Sequence, residues 1–353
     1  MKNIIKTLFV MFASVSFLAS TAKAGELGVS GTAKATYNII SGQDTKKGLG
    51  LTNELNFTAS GELDNGFTWS YSMELDPADA STGGAATNDD TSLKVTTPMG
   101  TVGVFILEGG LDLEDGASQS VYARPTDMGD PSATIDNYTI DAYNNIQYHT
   151  PADMLPFGIT AKIAYATGLD GTNNSGNATG GTTTLADESL GESATEVQVK
   201  ATPLDGLTIG ASYMSFSGSG SSGTEQDPES GAYMATYSSG PFSIGYSKAY
   251  KAPIVGDIVA SSSVETVEYY DQTNYSIAYA ASDDLSLSYE RETSQAYYVL
   301  NTSTDVEQES TSVQVAYTMG GMTLAVAHSS HDNIGYSDGA NRDQTVLAVT
   351  MAF

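Results

Sequence analysis

The sequence predicts an all-β fold, a transmembrane antiparallel β-barrel of about 16 strands. Three observations predict it. Apolar and polar residues alternate one by one through most segments. Short and long connections also alternate along the chain. Finally, only 16% of residues are charged, against roughly 25% in soluble domains, yet no apolar run of ~18 residues follows the first two dozen positions.

The N-terminus reads as a secretory leader. Lys2 and Lys6 make it basic, Leu8 to Leu18 is apolar, and Ala22-Lys23-Ala24 is a cleavage site. Residues 1–24 are therefore expected to be removed, leaving 25–353 as one barrel. In the first strand, 27–40, Leu27, Val29, Ala33, Ala35, Tyr37 and Ile39 share one face, and Ser30, Thr32, Lys34, Thr36 and Asn38 the other. The second, 49–63, sets Leu55, Phe57 and Ala59 against Glu54, Asn56, Thr58 and Ser60. In the third, 67–77, Phe67, Trp69, Tyr71, Met73 and Leu75 oppose Thr68, Ser70, Ser72 and Glu74. A helix would scatter both sets around its axis. The same pattern places strands at 91–97, 101–109, 145–150, 158–168, 194–202, 207–217, 230–238, 241–250, 269–281, 285–293, 308–318, 322–330 and 344–353. Asp64-Asn65-Gly66, Pro98-Met99-Gly100 and Met319-Gly320-Gly321 carry hairpin-turn residues. The long connections, such as 110–144, 169–192 and 331–343, are rich in Gly, Ser, Thr, Asn and acid. The last strand alternates Leu347, Val349, Met351 and Phe353, an expected assembly signal for the barrel-assembly machinery.

Only helices and closed barrels satisfy their backbone inside lipid, and these segments have barrel-strand length. A barrel this wide cannot be filled by side chains, so its polar face should line water and its apolar face meet outer-membrane lipid. Aromatics gather at strand ends as two girdles, with Phe67, Tyr237, Phe242, Tyr279, Tyr317 and Phe353 near the short turns and Tyr37, Tyr165, Tyr213, Tyr246 and Tyr250 nearer the long loops. The expected function is a passive pore for ions and small hydrophilic solutes. With 42 acids and 14 bases the net charge is −28, which disfavours nucleic acid and attracts cations. The absence of cysteine rules out disulfides and thiol chemistry.

Asn145-Ile146-Gln147-Tyr148-His149-Thr150-Pro151, then Phe157-Gly158 and Lys162 to Tyr165, resemble the strand ending Y-x-[ST]-P that follows the third loop in Gram-negative general (trimeric) porins, most of all the alphaproteobacterial type. Met99-Gly100-Thr101-Val102 and terminal Phe353 match as well. The insertion of 152–156 lengthens one turn beyond the family pattern. The resemblance covers essentially the whole mature chain. It implies a homotrimer and a third loop, 110–144, folded into the lumen to narrow it.

That loop opens with Asp112, Glu114 and Asp115, followed by Asp127, Asp130, Asp136 and Asp141. Opposite it the polar faces supply Lys34, Lys94, Lys162 and Lys200, with inward acids Glu54, Glu62, Glu74 and Glu196. Opposed charges would sort solutes by a transverse field, and the excess of acid predicts cation preference. Arg124 is a candidate for pairing with a carboxylate to hold the loop. No cofactor is expected, apart from Ca2+ as a candidate ligand of Asp112, Glu114 and Asp115. The Gly218-x-Gly220-x-x-Gly223 match sits in a Ser/Gly-rich loop, so it does not bind a dinucleotide. His328 and His331 lack the companions a zinc site needs, and His149 reads as a polar lumen residue. A substrate-selective channel would require lumen aromatics along the solute path. A barrel adhesin or outer-membrane enzyme is a further alternative, and an enzyme barrel would require a catalytic constellation, of which none stands out. A soluble β-sandwich would need polar outer faces.

Overall fold

The computed structural model describes residues 25, 27–41, 46–76, 87–128, 136–167, 193–217, 226–253, 255, 267–299 and 306–353. The expected leader and the 218–223 segment lie outside these. Sixteen strands form one closed barrel in which every strand pairs with its sequence neighbours and β1 pairs with β16. They are β1 (Leu27–Ile40), β2 (Lys46–Glu62), β3 (Thr68–Asp76), β4 (Thr87–Thr97), β5 (Gly100–Ile106), β6 (Asn145–His149), β7 (Thr160–Thr167) and β8 (Ser193–Leu204), followed by β9 (Leu207–Ser217), β10 (Glu229–Ser239), β11 (Phe242–Ala252), β12 (Val267–Ala280), β13 (Leu285–Tyr298), β14 (Glu307–Met319), β15 (Met322–Asp332) and β16 (Arg342–Ala352).

The pleat sorts side chains as the alternation requires. Leu27, Val29, Ile209, Ile244, Ile277, Val313 and Leu347 point outward and are exposed, whereas Ser92, Gln147, Gln198, Gln272, Ser312 and Gln344 point inward and are buried. Several strands run further into the long connections than apolar alternation suggests. β13 continues to Tyr298, β14 begins at Glu307 and β15 reaches Asp332, so parts of the expected connections are strand. A ladder needs only backbone groups, and beyond the apolar belt it continues with polar outer residues. There Arg291 meets Glu309 at 2.7 Å and Lys248 meets Asp271 at 3.0 Å. β5 is shorter than expected and ends at Ile106, where Leu107 takes a positive φ of 54°.

Closure rests on the chain's end. Ala33 faces Met351, Ala35 faces Val349 and Tyr37 faces Leu347, and the Gly31 and Phe353 backbones exchange hydrogen bonds of 2.8 and 3.0 Å. A Cβ on Gly31 would stand 2.8 Å from the Phe353 ring and 2.7 Å from the Glu54 carbonyl. Gly31→Val should therefore destabilise the barrel by about 1–3 kcal/mol, read as a lower temperature for loss of the heat-modifiable band on a detergent gel. An unchanged transition temperature would contradict this account of closure.

Candidate functional site

The connection between β5 and β6, described over 107–128 and 136–144, lies against the inward face of β7 to β16. Its apolar side chains fit where that wall is small. Leu111 and Ile140 pack with Ala164, Ala166, Ala194, Met214 and Phe216, and Leu113 and Ala117 with Ala232, Met234 and Ala249. Val121 and Tyr122 rest on Ala316, Ala325, Val346 and Ala348. The approach is closest at Gly245, where any Cβ would collide with the Ala117 carbonyl.

Inward polar side chains then satisfy the loop's backbone, which regular structure leaves unpaired here. Gln198 donates to the Leu111 carbonyl at 2.6 Å, Ser247 to that of Glu114 at 2.7 Å and Ser276 to that of Ala117 at 2.8 Å. Gln314 accepts from the Tyr122 N–H at 2.8 Å and Glu196 from the Ile140 N–H at 2.8 Å. Beyond the backbone, Glu290 accepts the side-chain hydroxyl of Ser118 at 2.6 Å and that of Ser120.

One buried ionic cluster joins loop and wall. Arg124 donates its Nε to Glu292 of β13 at 2.7 Å, pairs with Asp115, and lies 3.5 Å from Asp136 and 4.0 Å from Asp127. Glu292 also accepts the Thr126 hydroxyl at 2.7 Å and the Asn274 amide at 3.1 Å. These carboxylates hold Arg124 charged despite its burial. Arg124 thus stands inside a cage of acids rather than facing the open lumen.

The expected acids divide. Asp115 is half-exposed and bound to Arg124. Glu114 is buried, accepting the Asn137 N–H at 2.7 Å, and burial pushes its carboxyl well up. Asp112 accepts the Glu114 N–H at 2.8 Å, and burial pushes its carboxyl up to about 7. Asp127 is pushed up to about 6 by the same cause. The carboxylates that converge within 4.8 Å are those of Glu114, Asp115 and Asp136 rather than those of Asp112, Glu114 and Asp115. Arg124 already supplies a positive charge there.

The expected bases divide too. Lys162 directly faces Gln198 across the sheet, and Lys200 and Lys94 stand within its electrostatic reach. His149 lies opposite Lys162, donates its Nε2–H to Gln147 Oε1 over 2.7 Å and has its ring 6.0 Å from Phe105. The Lys94 ammonium is 5.9 Å from the same Phe105 ring. Asp112 is within reach of Lys200. Lys34 sits apart on β1, three strands from Lys94, opposite Thr350 and Thr52. The anchoring residues Glu290, Glu292, Gln198 and Gln314 escaped sequence reading because each is one more polar residue on a polar face. The only local hint is that Glu290 and Glu292 occupy successive inward positions. His331 is likewise a buried wall residue, bonded to Ser310 at 2.8 Å.

Leaving Arg124 buried without its wall partner should cost about 3–5 kcal/mol. Glu292→Ala should therefore speed proteolysis within the β5–β6 connection while strand content by circular dichroism stays constant. Equal cleavage rates would remove the ionic cluster as the anchor. Asp112 carries a linked prediction. Its folded carboxyl titrates above the unfolded value of 3.8, near 7, so the folded state holds the extra proton between those values and loses stability as pH rises through them. Asp112→Asn should therefore be more stable than the parent above about pH 7, measured by thermal denaturation at several pH values.

A profile described as Gram-negative porin matches residues 7–353. No curated protein sequence matches the chain. Among solved structures, Salmonella typhi OmpF in complex with daunomycin aligns with a TM-score of 0.67 at 13% identity, over 93% of this chain and 98% of that one. A loop-deletion mutant of OmpT, an outer-membrane protein of Vibrio cholerae, aligns at 0.63 and 14%, over 94% and 100%. A mutant of the Rh. blastica porin aligns at 0.60 and 13%, over 93% and 100%. At these identities the structural likeness speaks for the fold.

Proposed function

The chain belongs to the Gram-negative porin family, outer-membrane barrels that let small solutes diffuse passively, and from that premise we propose that its channel prefers cations and is narrowed by the β5–β6 connection. The observation that carries the reading is the separation of charge. Asp112, Glu114, Asp115, Asp127, Asp136 and Asp141 stand on the connection with Arg124 as their one neighbouring guanidinium, whereas Lys94, Lys162 and Lys200 gather on the barrel wall at β4, β7 and β8. Among the described residues those lysines make no ion pair. Solutes passing between the two sides meet a transverse field inside a net-negative molecule. Lys34 is assigned to the lumen away from this region. No bound divalent cation is part of the proposal, since Arg124 occupies the carboxylate group.

We also assign the chain to a homotrimer. Outward tyrosines crowd β9 to β14, including Tyr213, Tyr233, Tyr246, Tyr275, Tyr289 and Tyr317, whereas β15, β16 and β1 present chiefly Leu, Val, Ala and Met. Tyrosine suits a lipid boundary, and the aliphatic sector suits a second copy. A structure of the V. cholerae OmpT is described as a trimer form. Leu347, Val349, Met351 and Phe353 remain the proposed assembly signal, and 1–24 the proposed leader.

Planar-bilayer recordings under a salt gradient test the selectivity. The reversal potential should report cation preference, and the preference should strengthen as pH rises through about 6 and about 7, where Asp127 and Asp112 ionise. Replacing Asp112, Glu114 and Asp115 by amides should shift it toward anions, and replacing Lys94, Lys162 and Lys200 by Ala should shift it toward cations. A potential unmoved by both sets would place the selectivity elsewhere.

A further inference from the structure

The last long connection, 333–341, does not stand free of the barrel. Its Asn333 amide donates to the Glu307 carbonyl at 2.9 Å, and Gln308 accepts from the Gly335 N–H at 2.8 Å. Both contacts draw the segment over the inward face of β14. Ile334 is buried. Tyr336 is held at a φ of 58°, a conformation that bulky residues rarely adopt and that marks functional positions. Its hydroxyl meets that of Ser294 at 2.7 Å, and its ring lies 5.2 Å from that of Tyr270, tilted by 35°. Tyr298 is within electrostatic reach of both. Tyr270 and Tyr298 alternate with outward Tyr269 and Tyr297, so they face the lumen. Three half-buried aromatic rings therefore share one wall of the mouth on the side of the long loops.

Further down the same wall is a polar cavity of about 20 Å³, lined by Gln272, Asn274, Ser247, Thr293, Glu292 and Arg124 among others but not by the three rings themselves. That is room for one water-sized group. Gln272 follows Tyr270 on the same face of β12, about 7 Å further along the strand. Asn274 is 5% exposed, and its Oδ1 has no hydrogen-bond partner among the described residues. Aromatic faces beside a few convergent amide, hydroxyl and ionic groups are the chemistry of a small-molecule seat. The flat C–H face of a pyranose matches the rings by dispersion, and its hydroxyls match the amides.

We propose that Tyr270, Tyr298 and Tyr336, with the polar cavity beneath them, form a saccharide-binding seat at the outer mouth, in which Tyr270 stands opposite Ala296, four residues beyond Glu292 on β13. The seat rests on the reading of the chain as a channel and goes beyond it. A sugar held there is delivered to the narrowed region already desolvated on one face. The seat is independent of the cation preference.

Maltotriose is the probe, and polyethylene glycol of equal hydrodynamic size is the control. Maltotriose added to the long-loop side should reduce the single-channel current saturably in the millimolar range, while the polymer reduces it without saturation. Tyr270→Ala and Tyr298→Ala should each weaken the block about tenfold. Tyr336→Phe, which keeps the ring and loses only the Ser294 contact, should retain it. Calorimetric titration of the full-length protein in detergent reads the same affinity without conduction, so failure of the seat is distinguishable from failure of the channel. Identical behaviour of maltotriose and the polymer, or alanine variants with parental affinity, would overturn the proposal.

Discussion

Backbone hydrogen bonding inside lipid is the constraint on which everything else depends. No water is available there, so each strand needs two neighbours and the sheet can have no edge. The sixteen strands meet this by pairing β1 with β16. The rest follows geometrically. A barrel of this strand number is too wide to fill with side chains, the strict two-residue alternation puts one set of residues outside, and the other set is left facing a space that needs polar walls.

The interior is more than a polar tube, because the β5–β6 connection occupies part of it. A buried segment without regular structure leaves N–H and C=O groups to satisfy. The inward Ser, Gln and Glu side chains of β8 and β11 to β14 do so, bonding loop backbone where they would otherwise meet water. Burial also governs the loop's charge. Asp112, Glu114 and Asp127 all titrate high because desolvation outweighs the help of Arg124. Asp112 and Asp127 are thus partly neutral in mildly acidic water and charged above it, which makes the lumen's field a function of pH.

Architecture was readable because it rests on patterns repeated many times. Alternation over Leu27 to Ile39 or Phe67 to Leu75 can belong only to a strand with two different faces, and turns such as Asp64-Asn65-Gly66 mark where the chain reverses. Strand ends at the long loops were less readable, since Glu307, Glu309 and Gln295 pair as well as apolar residues do. The site was readable in part. The acidic start of the connection and Lys94, Lys162 and Lys200 were visible as charges on particular faces. Their environments were not, because whether Glu114 meets solvent or Asn137 depends on contacts between positions far apart in the chain. Glu292 shows the limit: nothing near it in sequence distinguishes a lumen acid from the partner of Arg124. The Tyr270–Tyr336 approach likewise requires a loop to fold back onto a wall 66 positions earlier in the chain.

The central claim is that successive residues face lipid and water in turn around an open lumen. Because the natural sequence has no cysteine, it can be tested one position at a time. Single cysteines at Thr36 and Thr350, which point inward, and at Ala35 and Val349, which point outward, would be exposed to a charged, membrane-impermeant thiol reagent in intact outer membranes. Rapid modification at Thr36 and Thr350 with protection at Ala35 and Val349 is the expected result. Modification that ignores this two-residue period would contradict the account.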